Sequence, residues 1–233
     1  MKTIGLIGGT GWVSTVEYYR LINQETNKRL GGSFSARCLV HSFNFHEILS
    51  FKKKNDNDSI YSMIHSAAIN LIHSGADGIA LCANTMHKYA ERLKSEINVP
   101  IIHIAEATAG VIKQAGFSRV GLLGTKYTME MDFYARVLQN FDILTLVPEK
   151  SDRVFINDII YNELVNEKFK EESRTGYLKI IDRLKRQGAQ GIILGCTEIP
   201  LFIEQKHTDI PLFNTLEIHA DALVDFALNE KRK

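Results

Sequence analysis

Two short stretches of the chain carry side chains suited to proton-transfer chemistry. Residues 79–87 read I-A-L-C-A-N-T-M-H, and residues 192–198 read I-I-L-G-C-T-E. Each runs from a short apolar strand into a small polar turn, and superimposing the two places Ala83 opposite Cys196. A cysteine can act as a nucleophile or as an acid/base, because thiol and thiolate interconvert near neutral pH. A methyl group can do neither, so the pair predicts a chemically one-sided site.

The surroundings of Cys196 allow two interpretations. The turn is expected to open a helix, and a helix N-terminus lowers the pKa of a thiol, which favours a reactive thiolate. The alternative is a small buried hydrophobe, the commonest role of a free cysteine. Glu198 either orients the site or is an acid favoured by the helix macrodipole.

The turns at four strand ends predict a site for a small carboxylate. They read G-G-T-G, A-N-T-M-H, G-T-K-Y and C-T-E, and each is expected to open a helix whose first N–H groups bind an anion. Lys52 lies in the charge-dense loop 52–58. It is either part of a solvated face or a contact for a side-chain carboxylate of the substrate. The side chains expected to bind substrate are Thr10, Lys52, Asn84, Thr85, Thr125, Thr197 and Glu198.

Metal and nucleotide sites receive little support. His87 follows Ala83 by one helical turn, but no two histidines stand at a ligand spacing with an acid, so no metal is expected. The G-G-T-G turn is neither a dinucleotide fingerprint nor a P-loop. A dinucleotide site is therefore poorly supported by the sequence.

The elements that must position these turns alternate along the chain. Apolar strand-like runs alternate with stretches of helical periodicity, of which 60–74 and 177–187 are the clearest. This order is typical of parallel sheets flanked by helices, with ligands at the carboxyl ends of the strands. The predicted strands are 3–7, 36–42, 78–81, 101–104, 120–123, 143–147, 191–194 and 211–213.

The chain also repeats itself once. Residues 4–10, 73–83 and 98–104 match 120–125, 186–196 and 209–215, at offsets of 116, 113 and 111. The repeat predicts an α/β fold with two pseudo-symmetric domains, each an approximately four-stranded parallel sheet flanked by helices, with the active site in the cleft between them. The expected boundaries are 1–104 plus 215–233 for the N-terminal domain and 105–214 for the C-terminal domain.

The composition of the chain argues against nucleic acid and membranes as binding partners. The 233 residues carry a net charge of +1, which gives no basic surface for nucleic acid, and the apolar runs are too short to span a membrane. The three cysteines at wide spacing do not form a disulfide framework, and the start lacks a cleavage site of the secretory type. A cytoplasmic setting is therefore expected.

Four motifs in order resemble the aspartate/glutamate racemase family. They are I-G-L-I-G-G-T-G-W-V-S-T, L-C-A-N-T-M-H-K, V-G-L-L-G-T-K-Y-T-M-E and A-Q-G-I-I-L-G-C-T-E-I, and the likeness runs nearly end to end. The resemblance implies a cofactor-independent racemase of an acidic amino acid, aspartate or glutamate, that forms homodimers. It also implies one catalytic position in each domain, at Ala83 and at Cys196. Related members with threonine at the first position are selective for the L-enantiomer as substrate.

Racemisation removes a proton from one face of Cα and delivers one to the other, so the alanine at 83 departs from what the reaction needs. Three explanations stay open: Cys82 substitutes, although adjacent side chains point to opposite faces; Cys196 works with water or another donor; or turnover is nearly abolished. Two other functions also stay open. One is an inactive protein that binds an amino acid or dicarboxylate, and the other is a single-cysteine decarboxylase or isomerase.

Overall fold

The computed structural model describes residues 1–229 of the 233-residue chain. The chain folds into two compact units, one formed by Met1–His103 together with the chain from His219 onward, the other by Ile104–Ile218. Each unit contains one parallel sheet with helices around it, so the predicted α/β fold is confirmed. The strands are β1 (Thr3–Gly8), β2 (Arg37–Ser42), β3 (Gly78–Leu81), β4 (Arg119–Leu123), β5 (Leu144–Leu146), β6 (Gly191–Leu194) and β7 (Leu212–Asn214).

Ten α-helices connect and cover these strands in the described residues. Both helices singled out by periodicity are present, and each begins a few residues earlier than its apolar pattern. The helices are α1 (Trp12–Leu30), α2 (Phe45–Lys53), α3 (Asn57–His73), α4 (Ala90–Glu96), α5 (Ile104–Gln114), α6 (Lys126–Glu130), α7 (Asp132–Gln139), α8 (Lys150–Asn162), α9 (Glu171–Arg186) and α10 (Thr215–Leu228). No helix in this part of the chain is long and apolar enough to cross a membrane.

The sheet of the first unit has three strands in the order β2-β1-β3, not the expected four. Of the predicted strand 101–104, only Ile101 remains, as an isolated bridge to Ile79. The backbone turns away because His219 Nε2 bonds the carbonyl of Ile102 at 2.7 Å, and α5 begins two residues later at Ile104. That carbonyl is consequently used by a side chain rather than by a sheet ladder.

The sheet of the second unit has four strands in the order β5-β4-β6-β7. In both units the first strand of the repeat lies beside the strand that ends at a candidate turn: β1 beside β3, and β4 beside β6. β3 is buried at every position, and so is β6, as expected for strands covered on both faces. The two candidate turns thus extend from the most buried strands of their units.

The segment 52–58 is not the loop expected from its charge. Lys52 and Lys53 form the last turn of α2, where cations favourably oppose the helix macrodipole. Asp56 caps the next helix, since its side chain accepts the Ser59 N–H at 3.0 Å and the Ser59 hydroxyl at 2.7 Å. Only residues 54–56 lie outside the two helices.

Candidate active site

The turns after β3 and β6 have the same backbone hydrogen bonds. The ladder continues one residue past each strand, through Cys82 N–H to Ile7 O at 2.9 Å and Gly195 N–H to Leu123 O at 2.6 Å. The carbonyl of the following residue then accepts an N–H from three residues further along the chain. Met86 N–H donates to Ala83 O at 3.2 Å, and Ile199 N–H donates to Cys196 O at 3.1 Å.

These bonds assign the equivalent positions within the two units. Cys82 corresponds to Gly195, and Ala83 corresponds to Cys196, each being the second residue past its strand. The superposition made from sequence therefore has a backbone counterpart in each unit.

Neither turn opens the helix that was expected. Asn84–Tyr89 is a six-residue 3-10 helix, and Ile199–Leu201 is a 3-10 turn of three residues. Segments this short align few peptide dipoles, so the two 3-10 segments contribute less to anion binding than the expected α-helices would. Of the four turns, only G-G-T-G leads into a long helix, the 19-residue α1.

The turn after β1 is held by the first residues of α1. Gly9 adopts φ +76°, and a Cβ built on it would lie 2.2 Å from the backbone of Phe43, so this position requires glycine. The Gly9 N–H donates to Thr15 Oγ1 at 2.9 Å. Ser14 Oγ donates to Cys82 O at 3.0 Å, which joins this turn to the one after β3. Ser14 and Thr15 are positioning residues that the sequence did not single out.

The polar side chains of the first unit's turns are largely buried. Asn84 is 3% exposed and Thr85 is 9% exposed. The Thr10 hydroxyl oxygen is also buried and has no hydrogen-bond partner among the described residues. Because buried polar groups are nearly always satisfied, a buried hydroxyl of this kind is typical of a site that binds a polar ligand or water. Lys52 lies farther along this unit, in the last turn of α2.

Cys82 is sealed in the core of the first unit. It is 1% exposed, and burial raises its pKa far above the usual thiol range. The expectation that Cys82 faces the core is confirmed, and its burial and raised pKa argue against a catalytic role in place of residue 83. Cys38 is less buried, yet burial still raises its pKa to about 11.

Cys196 is half-buried and bonded to the adjacent carboxylate. Its Sγ donates to Glu198 Oε2 at 2.9 Å, and the Thr197 hydroxyl donates to the same oxygen at 3.0 Å. Burial raises the pKa of Cys196 well above its ordinary value, and the negative charge of Glu198 raises it further. The predicted lowering of the thiol pKa is therefore wrong: a carboxylate stands beside the sulfur, and the short 3-10 turn supplies little opposing dipole. The resting group is a thiol with a proton acceptor in contact.

The turn after β4 is stabilised by caps and by α8. Thr125 caps α6, and its Oγ1 lies 3.4 Å from the Thr128 N–H that it accepts. The Lys126 N–H donates to Asn157 Oδ1 at 3.1 Å, which fixes this turn against α8. On the same helix, burial raises the pKa of Tyr161 to about 12, with a further contribution from the nearby Cys196. Asn157 and Tyr161 carry no motif in the sequence, and only the packing of α8 identifies them.

Three buried histidines lie behind the turn after β3. The rings of His87 and His103 are 4.6 Å apart, and those of His87 and His219 are 5.6 Å apart. His87 Nδ1 lies 3.0 Å from the carbonyl of Ala83, and since a carbonyl only accepts, this nitrogen carries the proton. Burial and the neighbouring histidines lower the pKa of His87 well below its usual value, so the ring is neutral.

The same reasoning identifies the ring nitrogen of His219 that carries the proton. Its Nε2 donates to Ile102 O, so in the neutral ring Nδ1 accepts the Tyr18 hydroxyl at 2.7 Å. Burial, reinforced by the charge of Lys94, lowers the pKa of His103 to about 4. In the described part of the chain, no group of three or more histidine, cysteine, aspartate or glutamate side chains is arranged to hold a metal ion. His87 bonds the backbone at Ala83, and the rings of His103 and His219 pack against His87.

Comparison with known proteins gives the class of this enzyme. A crystal structure of a candidate Asp/Glu racemase from Yersinia pestis is 45% identical, with a TM-score of 0.93 over 98% of this chain and 100% of that one. An aspartate racemase homologue from Pyrococcus horikoshii is 34% identical, with a TM-score of 0.86 over the same shares. A glutamate racemase from Hydrogenobaculum is 28% identical over 174 residues, 74% of this chain and 65% of that protein.

With its two α/β units and paired turns, the protein falls in the class of the amino-acid racemases, which are isomerases. Within that class, the chain belongs to the Asp/Glu/hydantoin racemase family, whose model matches residues 7–223.

Proposed function

We propose that the chain is a cofactor-independent racemase of an acidic amino acid, aspartate or glutamate, in which Cys196 is the acid/base for one face of Cα. Residue 83, where a second acid/base belongs, is an alanine, and turnover is accordingly slow, one-directional or abolished. The observation that carries the proposal is the identical backbone bonding of the two turns, with a thiol at one second position and a methyl at the other.

The contacts of Cys196 support a role in proton transfer. A thiol proton shared with Glu198 Oε2 at 2.9 Å moves to the carboxylate when the sulfur must act as a base. In the reverse direction, the protonated thiol delivers its proton to the carbanion. The raised thiol pKa makes the protonated form the resting state, so proton delivery is the step for which this side of the site is prepared.

The other face of Cα has no side-chain acid/base at residue 83. A water molecule, or a donor other than Cys82, completes the exchange there, at a cost in rate. General acid/base catalysis by one positioned group contributes about 10²–10⁴-fold, so its absence on one face slows the reaction by an amount of this order. This is why one-directional or weak turnover follows from the same arrangement.

Substrate binding is assigned to the buried polar side chains of the turns. Asn84, Thr85 and Thr197 hold the α-carboxylate, and stabilise the enediolate-like charge that forms when Cα loses its proton. Thr10, Thr125 and Lys52 meet the rest of the substrate. The buried Thr10 hydroxyl, without a protein partner among the described residues, supports this assignment for Thr10.

The remaining parts of the proposal concern the setting. We propose a cytoplasmic protein, because its three cysteines are free thiols in the structure. We also propose that it acts as a homodimer on a small amino acid, with neither nucleic acid nor membrane as a partner.

A second candidate function is a catalytically inactive domain that binds an acidic amino acid or a dicarboxylate. Ala83 favours it, since binding needs the polar turns but no acid/base at that position. A decarboxylase or a dicarboxylate isomerase with a single cysteine is the third candidate. It is distinguished by its products from malonates or from maleate.

The proposal is tested by incubating the protein with L- and D-aspartate and L- and D-glutamate in heavy water. We expect deuterium at Cα, with a faster rate from one enantiomer, and the opposite enantiomer among the products. Calorimetric binding of the same amino acids without any exchange would instead establish the binding domain. Neither binding nor exchange would reject both.

A further inference from the structure

The turn that carries Cys196 is short and lacks a side-chain cap. The Ile199 N–H bonds back to Cys196 O, and the 3-10 turn that follows, Ile199–Leu201, has no side-chain cap. Glu198 stands at its start, but its carboxylate accepts the Cys196 thiol and the Thr197 hydroxyl instead. A 3-10 turn of three residues makes few hydrogen bonds within itself, so the position of this segment depends on contacts from other elements of the unit.

Arg174, on α9, supplies such a contact. Its Nε donates to the carbonyl of Phe202 at 3.2 Å, and its guanidinium lies over the Phe202 ring, 5.2 Å from the centroid. The same side chain forms an ion pair with Glu171, one turn earlier on α9. A guanidinium can make these contacts together because it is planar, carries donors on three nitrogens and is attracted to the face of an aromatic ring. Arg174 thus holds both the backbone and the side chain of Phe202.

Phe202 is linked to Cys196 through successive backbone hydrogen bonds. The Phe202 N–H donates to Ile199 O at 2.9 Å, and the Ile203 N–H donates to the same oxygen at 2.8 Å. The Ile199 N–H in turn donates to Cys196 O at 3.1 Å. A continuous series of hydrogen bonds therefore connects the Arg174 guanidinium with the backbone of Cys196.

The ring of Phe202 also packs behind the thiol. It is 1% exposed and belongs to the apolar core against which the Cys196 side chain packs. The Tyr177 ring meets it edge-on, with centroids 5.7 Å apart, and the Phe169 ring is stacked on it at 6.1 Å. Burial raises the pKa of Tyr177 well above its usual value, and the nearby Cys196 adds to the rise. Because this core is close-packed, we expect a displacement of the Phe202 ring to move the sulfur.

The first turn of α9 is itself anchored, which limits the freedom of Arg174. Glu163, at the end of α8, is 8% exposed and accepts the Ser173 hydroxyl at 2.7 Å and the Lys170 ammonium at 3.0 Å. Hydrogen bonds to an ionised carboxylate are among the stronger ones in proteins. The backbone next to Arg174 is therefore held on α8, and its side chain provides a fixed reference for the Cys196 turn.

We propose that Arg174 is a positioning residue that holds the Cys196 thiol against Glu198 through Phe202. The inference rests on the proposed role of Cys196 as an acid/base, which needs the sulfur at a fixed place beside its proton acceptor. Misplacement of a reacting group by about 1 Å can lower a rate by about 10²-fold. No motif marks this role in the sequence, because Arg174 stands in the stretch K-E-E-S-R, which is typical of a solvated helix face.

The test compares Arg174→Lys with Arg183→Lys in the full chain. Lysine keeps the positive charge but has no Nε donor in a planar group, so Arg174→Lys removes the bond to Phe202 O and leaves a cation near Glu171. Arg183→Lys is the matched control. Arg183 lies on the same helix, and its side chain pairs with Asp152 of α8 at 2.7 Å rather than with the Cys196 turn.

The first measurement is the rate of alkylation of Cys196 by iodoacetamide as a function of pH, followed by mass spectrometry of the labelled peptide. Loss of the bond to Phe202 O loosens the contact of the thiol with Glu198 and admits water to the sulfur. Since burial and the Glu198 charge both raise the thiol pKa, we expect the profile of Arg174→Lys to move to lower pH, with alkylation at a fixed pH at least about threefold faster. Arg183→Lys should keep the wild-type profile.

The second measurement is Cα deuteration of the aspartate and glutamate enantiomers in heavy water. We expect kcat to fall by about tenfold or more in Arg174→Lys while KM stays within about twofold, and both constants to be unchanged in Arg183→Lys. Phe202→Leu removes the aromatic face but keeps an apolar side chain. It should shift both measurements in the same directions as Arg174→Lys.

A wild-type alkylation profile in Arg174→Lys or in Phe202→Leu, or an equal shift in Arg183→Lys, would overturn the proposal. Alkylation does not require turnover, so this result is independent of the racemase function. An absence of exchange in wild type and in every variant would reject that function, whereas the alkylation profiles would still decide whether Arg174 positions the thiol.

Discussion

The two turns that follow β3 and β6 share the same backbone hydrogen bonds but carry different side chains. In the first, the residue immediately past the strand is Cys82, whose side chain is sealed in the core, and the next residue is Ala83. In the second, Gly195 takes the first place, and its hypothetical Cβ would lie 2.8 Å from Leu123 O. The thiol there stands one residue later, half-buried and bonded to Glu198. A shift of one position along the chain thus separates a cysteine that packs in the core from one that contacts a carboxylate.

The largest expected effect comes from placing a thiol at residue 83 of the first turn. Ala83→Cys places a thiol at the position equivalent to Cys196, and we expect racemisation to rise by about 10³-fold, within the range of one positioned acid/base. Chiral chromatography of products from both enantiomers measures the rate. Ala83→Val is the control, because it fills the same place without a titratable group. Equal rates for the two variants would contradict the equivalence of the two turns.

The buried histidines behind the turn after β3 make the free energy of unfolding depend on pH. His103 is neutral in the folded protein, with a pKa of about 4, and the unfolded chain binds the proton near the ordinary value of about 6.5. The unfolded state therefore binds more protons between these values, so the free energy of unfolding falls as the pH falls from about 6.5 towards 4, by about 3 kcal/mol for this residue.

Urea unfolding at several pH values measures this effect. We expect a shallower loss of stability on acidification in His103→Gln than in wild type. His46→Gln, a substitution at an exposed histidine, should keep the wild-type pH dependence. An unchanged slope in His103→Gln would show that the cluster is not buried in its neutral form.

The Glu198 carboxylate affects the thiol pKa of Cys196 in the second turn. Glu198→Gln removes the negative charge that helps to raise the thiol pKa, so we expect thiolate to form at lower pH in this variant. The rate of alkylation of Cys196 as a function of pH, followed by mass spectrometry of the labelled peptide, reports this shift. Glu204→Gln, at an exposed carboxylate, is the control and should leave the profile unchanged. A profile that moves to higher pH in Glu198→Gln would reverse our assignment.

The smallest expected effect concerns the bond that joins two turns of the first unit. Ser14→Ala removes the hydrogen bond to Cys82 O and leaves a buried carbonyl with one partner fewer, at a cost of about 1 kcal/mol in the free energy of unfolding. Ser95→Ala removes a comparable bond at an exposed site and should cost less. Urea denaturation of both variants compares them, and equal losses would mean that the buried bond is not special.

The sequence predicted the parts of this molecule that depend on periodicity and repetition. The bounds of β3 and β6 match the prediction, because continuous apolar runs between turn residues mark buried parallel strands. It failed where a distant side chain takes over a backbone group: His219, over a hundred residues away, bonds Ile102 O and reduces a predicted strand to one bridge.

The site was predicted less completely than the fold. Sequence identified Cys196 and Glu198 but not that they touch, and contact with a carboxylate reverses the direction in which the thiol pKa shifts. Tyr161 and Asn157 belong to α8, whose packing beside the turns no local pattern encodes. Helix starts were also overestimated, since a short polar turn gives the same signal before a 3-10 turn as before a long helix.

The most direct measurement of the central claim compares the two cysteines of the paired turns in one assay. Cys196→Ala and Cys82→Ala are each incubated with aspartate and glutamate enantiomers in heavy water, and Cα deuteration is followed by nuclear magnetic resonance. We predict that Cys196→Ala loses exchange by about 10³-fold or more, whereas Cys82→Ala stays within about threefold of wild type. Exchange that persists in Cys196→Ala, or that disappears only in Cys82→Ala, would contradict the assignment of the acid/base to the turn after β6.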